Sequence, residues 1–334
     1  MASWLSSAAA FVSSLFSTSR QLNLNGVMGM NKRNGAYISR YNPRSKYPLV
    51  DDKLKTKIIA QQHGATVPIL IGVIEHQAEV KRIHKLVQKW QSFVIKPARG
   101  SGGKGILVIS AHNNGVYEKP SGQVITSKDV ERHISNALAG LFSLGGKNDV
   151  AVIENLIKFD DVAFSGFSFE GVPDIRVIVF KGYPVMAMMR CSTAVSEGKA
   201  NLHQGAVGVG LDLATGKAVR AVQFNQPITH HPDTGRLLSE LVVPNWQALL
   251  ELAASAWEMT GLGYMGTDMV LDKDEGPMVL ELNARPGLTI QIANGEGLLP
   301  RLQNIERLAT PIKYPEPAER VAYARQHFAA QPRL

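Results

Sequence analysis

Residues 264–283 read Tyr-Met-Gly-Thr-Asp268-Met-Val-Leu-Asp272, then Lys-Asp-Glu-Gly276, then Pro-Met-Val-Leu-Glu281-Leu-Asn283. Two apolar strands flank a polar turn that ends in glycine, which is a hairpin pattern. Symmetrical closure sets Asp272 against Pro277 and Asp268 against Glu281. Side chains alternate faces along a strand, so Asp268, Glu281 and Asn283 share one face. Directly opposed carboxylates repel one another. A hard divalent cation relieves that repulsion, and oxygen donors of this kind suit Mg²⁺. The plain alternative is a wet polar face, but it does not account for acids placed opposite Met269, Leu271, Leu280 and Leu282. On this reading Asp268→Asn relieves repulsion and leaves the fold intact.

Upstream, Gly100-Ser101-Gly102-Gly103-Lys104-Gly105 satisfies G-x-G-x-x-G. That spacing alone is weak evidence. A dinucleotide-binding loop needs a helix directly after it, whereas Ile106-Leu-Val-Ile109 reads as a strand. A Walker loop needs Ser or Thr after Gly-Lys, and here Gly105 follows Lys104. What remains is a glycine-rich hairpin folded over phosphates. Lys96, in the apolar strand entering the loop, needs an anionic partner because unpaired burial is costly. Phosphate is the functional candidate; an edge lysine snorkelling to solvent is the plain one.

Between these motifs, the pattern from 67 to 157 predicts β-α-β-β-α-β: strands at Val67–Ile74, Phe93–Ala98, Ile106–Ile109 and Val150–Ile153, and helices over Glu75–Trp90 and Thr126–Leu144. Acids at Asp51 and Asp52 and glycine at Gly64 bracket an entry helix. From 174 onward strands dominate, at 174–180, 184–190, 205–211, 218–223, 264–272 and 277–283. Helices are expected from Asn245 to Thr260, near 298–308, and in the tail. The expected division is a basic arm over 1–50, the entry helix over 51–66, a lid over 67–157, a larger antiparallel-sheet unit over 158–310 and a tail over 311–334. The fold class is α+β.

The 334 residues carry 36 Lys+Arg against 28 Asp+Glu, a net charge of +8. Residues 1–50 hold six cations (Arg20, Lys32, Arg33, Arg40, Arg44 and Lys46) and no acid, which leaves +2 for the rest. The body is near neutral, so a nucleic-acid partner is not expected. The basic arm suits an anionic surface or acidic partner instead. Trp4, Leu5, Ala8, Phe11, Val12, Leu15 and Phe16 recur at helical spacing opposite serines, which fits an interfacial helix or a transit-type leader. A frayed end or a helix on the protein's own body fits as well. The single cysteine, Cys191, excludes an internal disulfide and any multi-cysteine metal site. No run of about 18 apolar residues occurs, so no spanning helix is expected. A cytoplasmic setting follows, with the inner face of a membrane as a peripheral address.

Taken together, Lys96, the loop 100–105 and Asp268/Glu281/Asn283 resemble the ATP-grasp superfamily. The nearest pattern is that of RimK-like glutamate ligases. Asp174-Ile-Arg176, Arg190, Asn201-Leu-His203-Gln-Gly205 and Glu281-Leu-Asn283-Ala-Arg285-Pro-Gly287 follow that family in order and spacing. The resemblance covers roughly residues 50–310. It implies an ATP-grasp fold in which a β-α-β-β-α-β lid covers the larger sheet. It implies that Lys53, Lys96 and the loop Gly100, Ser101, Gly102, Gly103, Lys104, Gly105 hold nucleotide phosphates. Glu154 and Asn155 match the adenine hinge, Asp174 a ribose-side acid, and Lys199 and Asn201 further nucleotide contacts. Asp268, Glu281 and Asn283 match the ligands of two Mg²⁺ ions, for which Mn²⁺ can substitute. Arg190 matches an arginine facing an acyl phosphate, with Arg176 and Arg285 beside it; structural ion pairing is the plain reading of the first two.

The chemistry so implied is carboxylate activation. ATP phosphorylates a carboxylate, and an amine displaces phosphate to form an amide, with glutamate or another amino acid as the added group. Such transfer needs alignment and charge neutralisation rather than a protein nucleophile. A kinase acting on a hydroxyl and a nucleotide-binding scaffold docked to a membrane partner are the alternatives. Self-association is left open. The chain departs from the family in having only about 50 residues ahead of Asp51 and in its stretch 158–173, where acceptor contacts would lie.

Overall fold

The computed structural model describes residues 20–100, 102–113, 115–143, 145–159, 164–308 and 314–330. The apolar stripe from Trp4 to Phe16 and the loop residue Ser101 lie outside these. Among the described residues no helix is long and apolar enough to cross a membrane.

The architecture is α+β, with fourteen strands in three antiparallel sheets among the described residues. The lid sheet has the order β1 (Leu70–Ile74), β7 (Ala151–Asn155), β2 (Phe93–Pro97), β3 (Leu107–Ile109). Beside it β4 (Ala111–Asn113), β5 (Val116–Glu118) and β6 (Val124–Thr126) form a small sheet that the sequence pattern did not announce. The helix Ser127–Leu138 covers the lid sheet, begun by a Thr126–Asp129 capping box. It ends before the expected Leu144 because Gly140 turns left-handed at φ +80°. The helix expected over Glu75–Trp90 is instead a 3₁₀ turn, Gln77–Arg82, and one α turn, Ile83–Leu86. Val80 and Ile83, both buried, are three apart, which suits the 3₁₀ period.

The larger sheet orders its strands β12 (Gln226–Ile228), β11 (Ala218–Gln223), β10 (Val207–Leu211), β9 (Tyr183–Cys191), β8 (Asp174–Phe180), β13 (Tyr264–Asp272), β14 (Gly276–Asn283). Helix Trp246–Thr260 packs on this sheet, and its apolar face joins the larger of two hydrophobic cores. The second core lies under the lid sheet. Cys191 is fully buried, as a small apolar side chain would be.

The stretch expected as a basic arm is, over residues 26–50, a folded layer. Met28, Tyr37, Ile38 and Val50 belong to the larger core, and a π-helical turn spans Arg33–Ile38. Of the five cations in this layer, Arg33 donates to Pro286 O (2.8 Å) and Arg40 lies 3.7 Å from Glu306.

Candidate active site

The hairpin register sets Asp268 against Glu281, as symmetrical closure requires, but a bulge follows between Asp268 and Met269. Asp272 therefore meets Gly276 rather than Pro277. Because β13 also pairs with β8, and β8 with β9, further charged groups fall on the same face. Arg176 lies opposite Asp268, and Arg190 opposite Asp174. Their neighbours in sequence, Ile175, Val177, Met189 and Met269, are fully buried on the other face. Asp174, Arg176, Arg190, Asp268, Glu281 and Asn283 thus form one charged patch on an otherwise apolar sheet.

Within the patch Arg176 grips Asp268 with a fork, Nε to Oδ1 at 2.7 Å and Nη2 to Oδ2 at 2.5 Å. Arg190 holds Asp174 in the same way and places Nη2 3.0 Å from Asp268 Oδ2. Burial alone would raise the Asp268 carboxyl, but Arg176 and Arg190 outweigh it and hold the group far below the usual carboxylate range. Burial pushes Asp174 up to about 6 against the pull of Arg190, with the Asp268 charge adding to the rise. Arg190 is held protonated: burial opposes its charge, but Asp174 and Asp268 prevail.

A raised acid has a definite consequence. Between about pH 4 and pH 6 the folded chain keeps a proton on Asp174 that the unfolded chain, titrating near 3.9, has released. The stabilisation is complete below the unfolded value and lost as pH rises through the folded one. Unfolding midpoints across this window should fall with pH in the parent and much less in Asp174→Asn. Parallel curves would place Asp174 at an ordinary pKa.

The donor set fits a hard cation. Glu281 is partly exposed, and its nearest cation, Lys53, stands 3.5 Å away. Asp268 Oδ1 accepts one hydrogen bond among the described residues, so one of its lone pairs stays open. Asn283 Oδ1 takes the N–H of Arg285 (2.8 Å), which fixes its amide, and the oxygen keeps a second lone pair. Glu281, Asn283 and Asp268 Oδ1 would hold the ion. The arginines need not let go of Asp268.

The glycine loop reaches this patch through one lysine. Lys53 Nζ, on the entry helix Lys53–Gln62, donates to Gly100 O (2.7 Å) while lying beside Glu281. Asp52 caps that helix, accepting from Leu54 and Lys55 N–H. Gly102, Gly103 and Gly105 all sit at positive φ, between +63° and +76°, where a side chain would strain the backbone. A Cβ on Gly102 would come 4.0 Å from Asn201 Nδ2, so the loop also faces the 3₁₀ turn Leu202–Gln204 that Asn201 caps. Lys104 is exposed.

Lys96 has the anionic partner that its buried setting demands, and it is Glu154, at 2.6 Å. A second lysine that sequence reasoning passed over, Lys57, contacts the other oxygen of Glu154 at 3.0 Å. Burial opposes ionisation of Glu154, yet Lys96 and Lys57 together hold its pKa down. Burial lowers the pKa of Lys57. The signal was present: Lys57 is one helical turn after Lys53 on the same face. The Glu154 carboxylate, expected at a hinge, is thus occupied by lysines. Asn155 accepts the Ile69 N–H (2.6 Å) and ties the hinge to β1. Lys199 pairs with Glu197, and Arg285 with Asp51, both at the surface.

Asn42 was also missed. It is almost fully buried. Its Nδ2 donates to Tyr264 O (2.6 Å) and Ala284 O (3.1 Å), and its Oδ1 accepts the Tyr264 N–H (2.9 Å). The N-terminal layer thereby clamps the start of β13 to the residue after Asn283. Asn42→Ala leaves those groups short of partners and should cost about 2–4 kcal/mol. Denaturant titration checks this, and an unchanged midpoint would deny the clamp.

The family model described as sugar-transfer associated ATP-grasp matches residues 32–307. A probable alpha-L-glutamate ligase of Parasynechococcus marenigrum (strain WH8102) is 26% identical over 258 residues, 77% of this chain and 41% of that protein. The chain thus spans about two fifths of that relative's length. Among solved structures, D-cycloserine synthetase aligns with a TM-score of 0.43 and 16% identity, over 84% of this chain and 73% of its own. D-alanine–D-alanine ligase from Bacillus anthracis aligns at 0.41 and 16%, over 84% and 69%.

Proposed function

The chain belongs to the sugar-transfer associated ATP-grasp family, and from that premise we propose that it is an ATP-dependent carboxylate–amine ligase. The observation that carries the reading is Lys53, whose ammonium touches both the glycine loop and Glu281 and so joins a phosphate cover to a cation-binding carboxylate in one cleft. Bound ATP would supply the phosphoryl group that activates a carboxylate as an acyl phosphate, and Mg²⁺ would offset the charge on the transferring group. Lys53, Lys96 and the loop amides bind and orient the phosphates, and Lys57, held by Pro68 O and Glu154, adds positive charge behind them. Glu281, Asn283 and Asp268 hold the metal. Arg190 and Arg176, buried and permanently charged, stabilise negative charge at the acyl carbon's oxygen. Arg285, paired with Asp51 at the surface, would be the third positive group. Asp174 fixes Arg190 in place. On this reading Lys199 and Asn201 contact the nucleotide, and Glu154 and Asn155 form its hinge.

The curated relative supports glutamate as the added residue, and the family's description directs the acceptor search to amino sugars and sugar acids as well as peptides. The test is ADP release with ATP, Mg²⁺ and a library of carboxylates and amines. The reading requires release that depends on both partners. Release with a hydroxyl compound alone would favour the kinase alternative. The same reading keeps a cytoplasmic location with residues 1–46 docking on an anionic membrane. Co-sedimentation with anionic vesicles that salt weakens supports this, and a protein that stays in the supernatant at low salt removes it.

A further inference from the structure

The two ends of the glycine loop are fixed to the lid by side chains outside the charged patch. At the entry, Gly100 forms a bridge with Ser143. Ser143 Oγ donates to Asp149, which is almost fully buried and also accepts the Arg99 N–H (2.9 Å). At the exit, Gly105 O accepts a hydrogen bond from His133 Nε2 (2.9 Å). Gly105 has φ +75°, and an added Cβ would overlap the Phe142 ring, so the backbone there lies against that ring. The rings of His133 and Phe142 stack in turn, with centroids 5.2 Å apart and planes 28° from parallel.

His133 lies on the helix Ser127–Leu138, whose Val130, Ile134 and Ala137 are fully buried in the lid core. Its ring is therefore mounted on a rigid element. A carbonyl oxygen only accepts, so the proton of this bond is on Nε2. Burial lowers the His133 pKa against the opposing pull of Gly105 O, which keeps the ring neutral at pH 7. The loop tip, residues 102–104, is exposed and is carried between the two fixed ends. A glycine-rich tip samples many backbone states unless something outside it selects one. Apparent affinity falls with the fraction of time a site spends in its binding shape. Loss of the exit anchor lowers that fraction for a ligand held by the loop, and leaves a ligand that does not touch the loop unaffected.

We propose that His133 is a positioning residue whose hydrogen bond to Gly105 O holds the exit of the glycine loop in the shape that receives the nucleotide's phosphates. The inference rests on the nucleotide-binding reading above, but the anchor can be tested without nucleotide. His133→Phe keeps a ring against Phe142 and removes the donor. His133→Gln restores an N–H donor at the same place on the helix. Calorimetric titration with ATP and Mg²⁺ should give a Kd about fivefold higher for His133→Phe and close to the parent's for His133→Gln. Adenosine, which has no phosphate, should bind all three proteins alike. Without nucleotide, amide exchange over residues 102–105 should be faster in His133→Phe than in the other two. Parental ATP affinity in His133→Phe would overturn the proposal. So would equal losses in both variants, or a loss of adenosine binding that matches the loss for ATP, which is the signature of a structural histidine. Faster exchange in His133→Phe, with no ATP binding to the parent, keeps the anchor and sinks the nucleotide reading; ATP binding that ignores His133 does the reverse.

Discussion

Asp268→Asn is expected to abolish ATP-dependent turnover and to destabilise the fold by about 3–5 kcal/mol. Considered on the hairpin alone, the substitution looks harmless, because it removes one of two opposed carboxylates. The sheet reverses that conclusion. Asp268 is the shared counter-ion of Arg176 and Arg190, both with only 12% of the side chain exposed. With an amide at 268, two buried guanidiniums share one carboxylate, Asp174, among the described residues. Removing one partner from a buried ionic group leaves charge uncompensated, and that penalty exceeds the relief of repulsion against partly exposed Glu281. Denaturant unfolding measures the loss. The double substitution Asp268→Asn with Arg176→Gln should recover much of it without recovering turnover. A midpoint equal to the parent's would mean the arginines find other anions.

The second large effect separates the two lysines' roles from the acid between them. Lys57, Glu154 and Lys96 form a buried triad with one positive charge in excess. Glu154→Gln would leave two buried ammoniums facing one another, and it should cost about 3–5 kcal/mol. Lys57→Met should act differently. It leaves Glu154 balanced by Lys96 and removes a lysine whose burial already disfavours its charge, so stability should change little. What it removes is the excess charge available to a nucleotide phosphate. The Lys57 ammonium is buried and engaged by Pro68 O and Glu154, so it acts on a phosphate through its charge rather than by contact, and ATP should bind several-fold more weakly. Calorimetric titration with ATP and Mg²⁺ decides it. Parental affinity in Lys57→Met would mean that the triad is a structural clamp.

These two cases show where sequence reading succeeds and where it stops. Asp268, Glu281 and Asn283 are legible because acids occur at period two on the face opposite leucines, and a local turn fixes their register. The long strands of the larger sheet are legible for the same reason. The arginine partners of Asp268 depend on how β8, 92 residues earlier, aligns with β13, and no local pattern encodes that alignment. Asn42 is further out of reach, since its bonds span 222 and 242 residues. The folded layer over residues 26–50 reads as a basic arm because its buried residues, Met28, Tyr37, Ile38 and Val50, follow no single period around a π-helical turn. Strands β4, β5, β6 and β12 are three residues each, too short for alternation to register. The glycine loop is legible in its composition but not in its anchoring, which comes from Lys53.

The central claim is that the cleft activates a carboxylate by phosphorylation and hands it to an amine. The most direct test uses a substrate carboxylate labelled with ¹⁸O, once the library has identified one. Because the acyl phosphate keeps a carboxylate oxygen on phosphorus when the amine displaces it, the account requires one ¹⁸O atom in the inorganic phosphate for each amide formed, read by mass spectrometry of both products. Phosphate free of label alongside amide, or label retained entirely in the organic product with phosphate transferred to a hydroxyl, would contradict it.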